Sequence, residues 1–399
     1  MLMKILMSGR FIAPSGVARA TREFIRAFKI HNPQDTLVVF AFGNTTQLNK
    51  DGNVFIQTVQ THPDHVRTPI RGLSSLGELK HKYREQARFA REFLDKTSPD
   101  VIVFNGTNVH DWILMQAFAG VRIPKIVIMH SAFAERLRYV DTPQQRLQAE
   151  LETQIIEQCS RFVFVSPLVR DLFAFRYDFI PDVHAVIPNG IPDLFFSEMV
   201  HVKDLVDVGF VGRDDPVKNL EFLKHVSAHS SMNPYSIQVL TDFAHNSVLI
   251  PEFIANGVRM LPPTTDDASM RLVYRSTRLI ISPSHFETLG LVPFEAIACG
   301  TVALVSKNMG VAYYFRQLGL KHLVTDFSKI NDAIHYIQHL LSLHLYIPDS
   351  VRETLKNKFA WSVTARRFMD FFKYGKTEEP DFEEAIAQPL QPLELPVQS

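Results

Sequence analysis

Short, uniformly apolar runs alternate with amphipathic stretches along most of the chain, and this alternation constrains the fold more than any other feature of the sequence. Ile5-Leu-Met7 leads through Gly9 and Gly16 into a helical stretch from Ala18 to Lys29. Leu37 to Phe42 reads as a buried strand, Glu78 to Lys96 as a helix, and Val101 to Phe104 and Ile126 to Met129 as further strands. Arg161-Phe-Val-Phe-Val165 then runs into a helix at Pro167 to Phe175. Strands without polar alternation have to be covered on both faces, so strand and helix in turn imply a parallel sheet between helical layers. Sheets of this kind bind ligands beyond the carboxyl ends of their strands.

A chain of 399 residues exceeds what one core organises, and 46% hydrophobic residues supply two. Val186-Ile-Pro-Asn-Gly-Ile-Pro192 reads as the last strand and exit turn of the first domain. A second series opens at Val206 to Val211 and continues through Ile237 to Leu240, Val258 to Leu261, Leu279 to Ile281 and Val302 to Val305. A last helix is expected at about Phe359 to Phe372. Beyond Tyr374 an acidic stretch punctuated by Pro389, Pro392 and Pro396 has too little apolar surface to offset the entropy of ordering, and is expected to be disordered.

Lys+Arg and Asp+Glu balance at 42 each, which argues against a dedicated nucleic-acid binder. The two cysteines, Cys159 and Cys299, sit in apolar helical contexts, so neither a disulfide framework nor a cysteine metal site is expected. No apolar run approaches a membrane span, and the opening Met1 to Met7 is too short for a secretory leader. These features point to a cytoplasmic protein, with room for peripheral contact at the inner face of a membrane.

The densest chemistry lies in Ser282-Pro-Ser-His-Phe-Glu-Thr-Leu-Gly-Leu-Val-Pro-Phe-Glu-Ala-Ile-Ala-Cys-Gly-Thr301. The apolar run Leu279 to Ser282 is a strand ended by Pro283, and helical spacing resumes at Val292. Backbone N–H groups around Thr288, Leu289, Gly290 and Leu291 open that helix and can receive a phosphate. Glu295, on the helix, is a candidate acceptor for ribose hydroxyls, and Glu287, before the turn, a candidate for the substrate side. Taken singly, each glutamate is equally explained as a helix cap or a solvated face.

Arg213 and Lys218 follow the first strand of the second domain, where two cations can neutralise a diphosphate without a metal. The competing explanation is a solvated charge cluster with Asp214 and Asp215. His130 ends the strand Ile126 to Met129, and a lone histidine there is also explained as a structural hydrogen-bonder. Gly16 lets a helix N-terminus approach a sugar or phosphate, or is an ordinary turn glycine. Asp214-Asp215 and Asp266-Asp267 are adjacent rather than split by one residue, which does not suit a metal site. Between His65 and Phe93 the cations Arg67, Arg71, Lys80, Lys82, Arg84, Arg88 and Arg91 mix with Leu73, Leu76, Leu79, Phe89 and Phe93. The segment is a candidate surface for anionic lipid, or a solvated basic helix face.

The Glu287 to Thr301 stretch, with two glutamates separated by seven residues and followed by Ala and later Cys-Gly, resembles the signature of retaining glycosyltransferases of family 4. Gly9, Gly16, His130, Ser166, Pro188-Asn189-Gly190, Val211-Gly212-Arg213 and Lys218 fall in that family's order, and the resemblance covers roughly residues 1–373. It implies an α/β protein of GT-B fold, with two Rossmann-like parallel-sheet domains facing a central cleft. The implied division is an acceptor domain at 1–197, a nucleotide-sugar domain at 198–356, a helix at 357–374 crossing back onto the first domain, and the tail at 375–399. It further implies a retaining, metal-independent transfer of a hexose from a nucleotide diphosphate sugar, UDP favoured over GDP, to a glycan or lipid-linked acceptor of polysaccharide or lipopolysaccharide biosynthesis. No cofactor is implied. Arg213 and Lys218 would hold the diphosphate, His130 the transferring sugar, and Glu287 would act by positioning and electrostatics rather than as a nucleophile. The sequence departs from the family pattern in a single glycine at Gly16, Thr288 where Gly is common, Met309-Gly310 in place of paired glycines, and Tyr313 near a usual carboxylate. A sugar nucleotide 2-epimerase of the same fold and a non-catalytic nucleotide-sugar-binding partner are the competing readings.

Overall fold

The structure, a computed structural model, describes residues 2–11, 16–61, 70, 72–73, 75–197, 205–243, 247–264, 266–343 and 345–377. The chain divides into two compact units, Met1–Gly190 with Trp361–Glu379, and Ile191–Ala360.

Among the described residues the first unit is built on an eight-stranded sheet: β1 (Lys4–Gly9), β2 (Thr36–Gly43), β3 (Gln47–Asp51), β4 (Val54–Gln60), β5 (Val101–Phe104), β6 (Lys125–Met129), β7 (Arg161–Phe164) and β8 (His184–Val186). Their order across the sheet is β3-β4-β2-β1-β5-β6-β7-β8. All pairings are parallel except β3 with β4, an antiparallel edge hairpin that the sequence reading did not anticipate. Every residue of β5 is buried, as a strand covered on both faces requires. Chain order reverses between β1 and β5, which pair from Ile5 opposite Val101 to Met7 opposite Val103.

The second unit carries a six-stranded, wholly parallel sheet in the order β11-β10-β9-β12-β13-β14. Its strands are β9 (Val206–Arg213), β10 (Ile237–Asp242), β11 (Arg259–Leu261), β12 (Thr277–Ser282), β13 (Val302–Ser306) and β14 (Val324–Thr325). Here the reversal lies between β9 and β12. Each sheet therefore has one switch point, the place where open α/β sheets form ligand crevices.

The units divide at 190 and 361 rather than at the expected 197 and 357. The short 3₁₀ turn Asp193–Phe196 buries Phe195 completely, with its ring 5.9 Å from Tyr274, and so belongs to the second core. Two helices end the described chain, Asp349–Phe359 and Trp361–Tyr374, the second being the one expected at about Phe359 to Phe372; between them Ala360 is extended and bridges to Ile191. Gly190 has no room for a side chain: a Cβ there would lie 2.7 Å from the Trp361 ring. From Trp361 the helix packs on the first unit, with Phe368 and Phe372 at 5.8 and 6.1 Å from Phe24, and Lys373 paired with Asp35 at 2.6 Å.

The helix expected over Glu78 to Lys96 is also two, Leu76–Lys82 and Arg84–Thr97, interrupted at Tyr83, whose ring packs 6.1 Å from Phe42. The acidic tail lies outside the described residues from 378 onward, as do Arg67 and Arg71 of the basic segment.

Candidate functional site

Lys218 and Glu287 meet at the switch point of the second sheet because two loops are stitched together there. The loop after β9 forms a 3₁₀ turn, Pro216–Lys218, capped by Asp215, whose carboxylate accepts from the Val217 N–H at 3.2 Å. Asn219 follows in a left-handed conformation, φ +57°, and caps the helix Leu220–Ala228 with its side-chain oxygen. Its amide N–H₂ donates to the Pro283 carbonyl at 3.1 Å, and the His285 N–H donates to the Val217 carbonyl at 2.8 Å. These bonds tie the β9 loop to the β12 loop and bring Lys218 Nζ to 2.7 Å from Glu287 Oε1. Ser284 Oγ donates to the same oxygen at 2.7 Å. The two side chains are only 16% and 18% exposed, so this is no surface ion pair, and removing one partner leaves a poorly solvated charge.

The turn after Glu287 is held from its other side. The Gly310 N–H donates to the Glu287 carbonyl at 3.0 Å and the Val311 N–H to the Leu289 carbonyl at 2.7 Å. Gly290 then takes φ +92° and opens the helix Leu291–Ala298. A Cβ at Gly290 would lie 2.5 Å from Met309 Cε and 3.7 Å from Glu287 Oε2, so both backbone conformation and space require glycine. The first N–H groups of that helix have no partner within it and lie directly after the turn that carries Glu287. The Met309-Gly310 departure noted in the sequence thus packs under the turn.

The other expected donor-site residues are placed differently. Arg213, at the end of β9, is 58% exposed and lies 3.8 Å from Asp215. Thr288 is half-buried, Leu289 and Gly290 are buried, and Leu291 is half-buried. Glu295 does not reach the surface: it is 1% exposed, and its carboxylate accepts from the Tyr274 hydroxyl at 2.7 Å. A contact with a ribose would require that carboxylate to be uncovered. Its position on the helix Leu291–Ala298 turns it toward the helix Asp267–Arg275, where it serves the core of the unit. Burial beside that carboxylate also pushes the Cys299 thiol up to about 12, which leaves it inert.

Gly16 and His130 belong to the first unit. Gly16 opens the helix Gly16–His31 and is exposed. His130 follows β6 and has both ring nitrogens engaged: Nδ1 accepts from the Asn189 amide at 3.2 Å, so Nε2 carries the proton and donates to Asn105 Oδ1 at 2.8 Å. Burial and the positive field of Arg10 push its pKa down to about 3, and it is neutral at pH 7. A sugar contact through the ring would have to displace Asn105 or Asn189. His130 lines a small cavity with Met7, Phe24, Ile128 and Trp361. His130 is the centre of a polar network that continues from Asn105 N–H to Ser8 Oγ at 2.7 Å and from Ser8 Oγ to Asp111.

Sequence reasoning missed Ser284, Asn219 and Tyr274 in the second unit, and Arg10, Asn105, His110 and Asp111 in the first. Ser284 and Asn219 carried a signal: the first is three residues before Glu287, and the second directly precedes a helix in capping position. Arg10 and Asn105 each directly follow a strand.

Asp215 and Asp266 are helix caps, the latter accepting from the Ser269 N–H at 2.8 Å. Among the described residues no group of three or more His, Cys, Asp or Glu is placed to hold a metal ion, and no helix is long and apolar enough to cross a membrane. In the basic segment the apolar side chains face the sheet: Leu79 is buried, and Phe89 and Phe93 lie 6.3 and 5.7 Å from Phe40. Arg84, Arg88 and Arg91 are exposed beside Glu85 and Glu92, with Arg88 3.9 Å from Glu92 and Arg91 3.7 Å from Asp95.

The family profile described as Glycosyltransferase Family 4 matches residues 14–193, and that described as Glycosyl transferases group 1 matches residues 195–358. Among curated proteins, the D-inositol 3-phosphate glycosyltransferase of Mycobacterium sp. (strain KMS) is 24% identical over 252 residues, 58% of this chain and 56% of that protein. The protein of the same description from Segniliparus rotundus is 29% identical over 191 residues, 43% of this chain and 42% of its own. The chain thus spans little more than half the length of the former. Among solved structures, sucrose-phosphate synthase from Thermosynechococcus elongatus superposes with a TM-score of 0.74 at 15% identity, covering 93% of this chain and 98% of that one. A lipopolysaccharide outer core galactosyltransferase superposes with a TM-score of 0.66 at 14% identity, covering 92% and 98%. At these identities the likeness establishes the GT-B fold.

Proposed function

This chain belongs to glycosyltransferase family 4, and from that membership we propose that it transfers a hexose from UDP-sugar to an acceptor with retention of anomeric configuration and without a metal. The observation that carries the reading is the Lys218–Glu287 pair, a cation held beside a carboxylate at the switch point of the second sheet, 2.7 Å apart and next to the start of the helix Leu291–Ala298, which has no side-chain cap. A diphosphate arriving there takes the ammonium of Lys218 in place of Glu287, and Arg213, exposed at the end of the same strand, supplies a second cation. Gly290 allows the backbone of the turn to approach the phosphate closely. Glu287, once released, is free to hold sugar hydroxyls.

In the transfer the bond from the sugar's anomeric carbon to the diphosphate oxygen breaks, and a bond to the acceptor oxygen forms on the same face. The acceptor's proton passes to the departing phosphate. Lys218 and Arg213 meet the negative charge that grows on that phosphate, so they act in the transition state as well as in binding. UDP is favoured because a solved relative by fold, from E. coli, holds UDP-2-fluoro glucose. The acceptor is a hydroxyl of a glycan, a lipid-linked glycan or a smaller sugar.

A thermal-shift panel of UDP, GDP, ADP and their hexose conjugates, run on wild type and Lys218→Ala, tests the reading, since a ligand that binds only the native state raises its apparent stability. A shift with uridine compounds that Lys218→Ala abolishes is expected. No shift with any nucleotide, or equal shifts in both proteins, would refute the donor site.

A further inference from the structure

We propose that Ser284 is a positioning residue of the donor site: its hydroxyl keeps hold of Glu287 when Lys218 moves to the diphosphate, so that the second carboxylate oxygen stays presented to the transferring hexose. The inference rests on the reading of Lys218 and Glu287 as the donor site and assigns that site a third residue.

The two side-chain donors of Glu287 share one oxygen. Lys218 Nζ and Ser284 Oγ each lie 2.7 Å from Oε1. Oε2 lies beside the turn, 3.7 Å from where a Cβ at Gly290 would stand. The two donors differ in reach. Lys218 carries its ammonium on a flexible four-carbon stem at the end of the 3₁₀ turn Pro216–Lys218. Ser284 is 1% exposed and has a single side-chain carbon. It also sits between the two residues that pin its loop: Pro283, whose carbonyl accepts from the Asn219 amide at 3.1 Å, and His285, whose N–H donates to the Val217 carbonyl at 2.8 Å. An arriving diphosphate can draw the ammonium away, and it cannot draw the hydroxyl.

Once Lys218 has changed partners, Glu287 faces an anion of its own sign, and the two repel. A carboxylate with no other tether would turn out toward water. The Ser284 bond opposes that rotation, and a hydrogen bond to an ionised acceptor is of the stronger kind. With Oε1 retained by the serine, Oε2 remains beside the Gly290 turn and accepts from a hydroxyl of the hexose that the diphosphate carries. The competing explanation is that Ser284 only supports the fold of its loop. The two differ in what loss of the hydroxyl disturbs: a supporting serine affects UDP and UDP-sugar alike, whereas a positioning serine acts on the sugar, and only through Glu287.

The test uses the full chain as wild type, Ser284→Ala, Ser284→Thr, Glu287→Ala and the Ser284→Ala/Glu287→Ala double variant, each titrated calorimetrically with UDP, UDP-glucose, UDP-galactose and UDP-N-acetylglucosamine. Ser284→Ala is expected to bind UDP within about threefold of wild type, and to lose at least about tenfold in affinity for the tightest UDP-sugar relative to UDP, the size of one charge-assisted hydrogen bond. Ser284→Thr keeps the hydroxyl and restores the ratio. In the Glu287→Ala background, Ser284→Ala changes the ratio no further, because the serine acts through the carboxylate. Should the added methyl of threonine prevent folding, the comparison with the double variant decides. A ratio that Ser284→Ala leaves unmoved, an equal loss for UDP and UDP-sugar, or the same loss with Glu287 already removed overturns the assignment. UDP bound by every protein with an unmoved ratio counts against Ser284 alone, whereas UDP bound by none overturns the donor reading and this inference with it.

Discussion

The two switch points of this molecule are built from the same topological device and differ in how their cations are bonded. In the second unit Lys218 is neutralised by Glu287 within the protein, and Ser284 completes the carboxylate's bonding. In the first, the Asp111 carboxylate acts on Arg10 while its oxygens accept from Ser8 and Asn108, and Arg10 Nε and both ring nitrogens of His110 have no hydrogen-bond partner. The difference teaches that a cation at a strand end can be kept in two ways. A compensated cation has to exchange partners when its ligand arrives, which makes affinity a difference between two ion pairs. A cation whose neighbouring carboxylate is bonded elsewhere keeps the charge balance but leaves its own donor unpaired.

The largest expected effect comes from destroying the compensated site. Lys218→Ala should lower turnover on the order of a hundred- to thousandfold, the usual effect of losing one donor that meets developing charge; unaltered steady-state rates would remove Lys218 from the mechanism. Tyr274→Phe should destabilise the protein by about 1–3 kcal/mol in urea titration, because buried Glu295 loses a donor, while leaving UDP affinity nearly unaltered. A large drop in UDP affinity with little loss of stability would return Glu295 to the ribose. Gly290→Ala should cost about 1–2 kcal/mol through its left-handed backbone alone, with the Met309 contact added, and should impair UDP binding as the turn shifts. Wild-type stability and affinity in that variant would show that the turn is not the constrained element described.

The smallest effect tests how the first unit tolerates an uncompensated group. Glu152 is buried, accepts from Thr107 Oγ1 at 2.9 Å and from the Phe133 N–H at 3.1 Å, and burial nevertheless raises its pKa from 4.5 to about 7. The folded state then binds this proton more tightly than the unfolded one. Its stabilising contribution is complete below about pH 4.5 and is lost as the pH rises toward 7. His130, depressed from 6.5 to about 3, contributes the opposite slope, with stability gained as the pH rises through that interval. Comparison with Glu152→Gln cancels the His130 contribution. The wild type should lose melting temperature relative to the variant between pH 4.5 and 7, and a constant difference across that range would contradict the raised pKa.

Much of this was legible in the sequence, for reasons that can be named residue by residue. Val101 to Phe104 and Val302 to Val305 announced central parallel strands because burial on both faces leaves no room for a polar residue. The polar edge strand Gln47–Asp51 carried no such mark, since an edge exposed to water needs none; only the Asp51-Gly52 turn hinted at a hairpin. The break at Tyr83 was invisible because it lies in a run with helical spacing, and only the packing against Phe42 reveals it. At the site, Lys218 and Glu287 were each identified, but their meeting depends on Asn219 and His285 bonding across two loops that are 64 and 68 residues apart in sequence from their partners Pro283 and Val217. The covering of Glu295 by Tyr274 escaped because sequence spacing locates a residue along a helix and leaves open which neighbour covers it. Arg10 and His110 escaped for the complementary reason that an unmet hydrogen bond has no sequence signature at all.

The central claim is that Glu287 holds Lys218 in reserve for a diphosphate, and calorimetric titration of UDP into wild type, Lys218→Ala and Glu287→Gln tests it most directly. The account predicts affinity at least about tenfold weaker without the ammonium, and equal or tighter when the competing carboxylate is neutralised. UDP binding that ignores Lys218→Ala, or that collapses in Glu287→Gln as it does in Lys218→Ala, would contradict it.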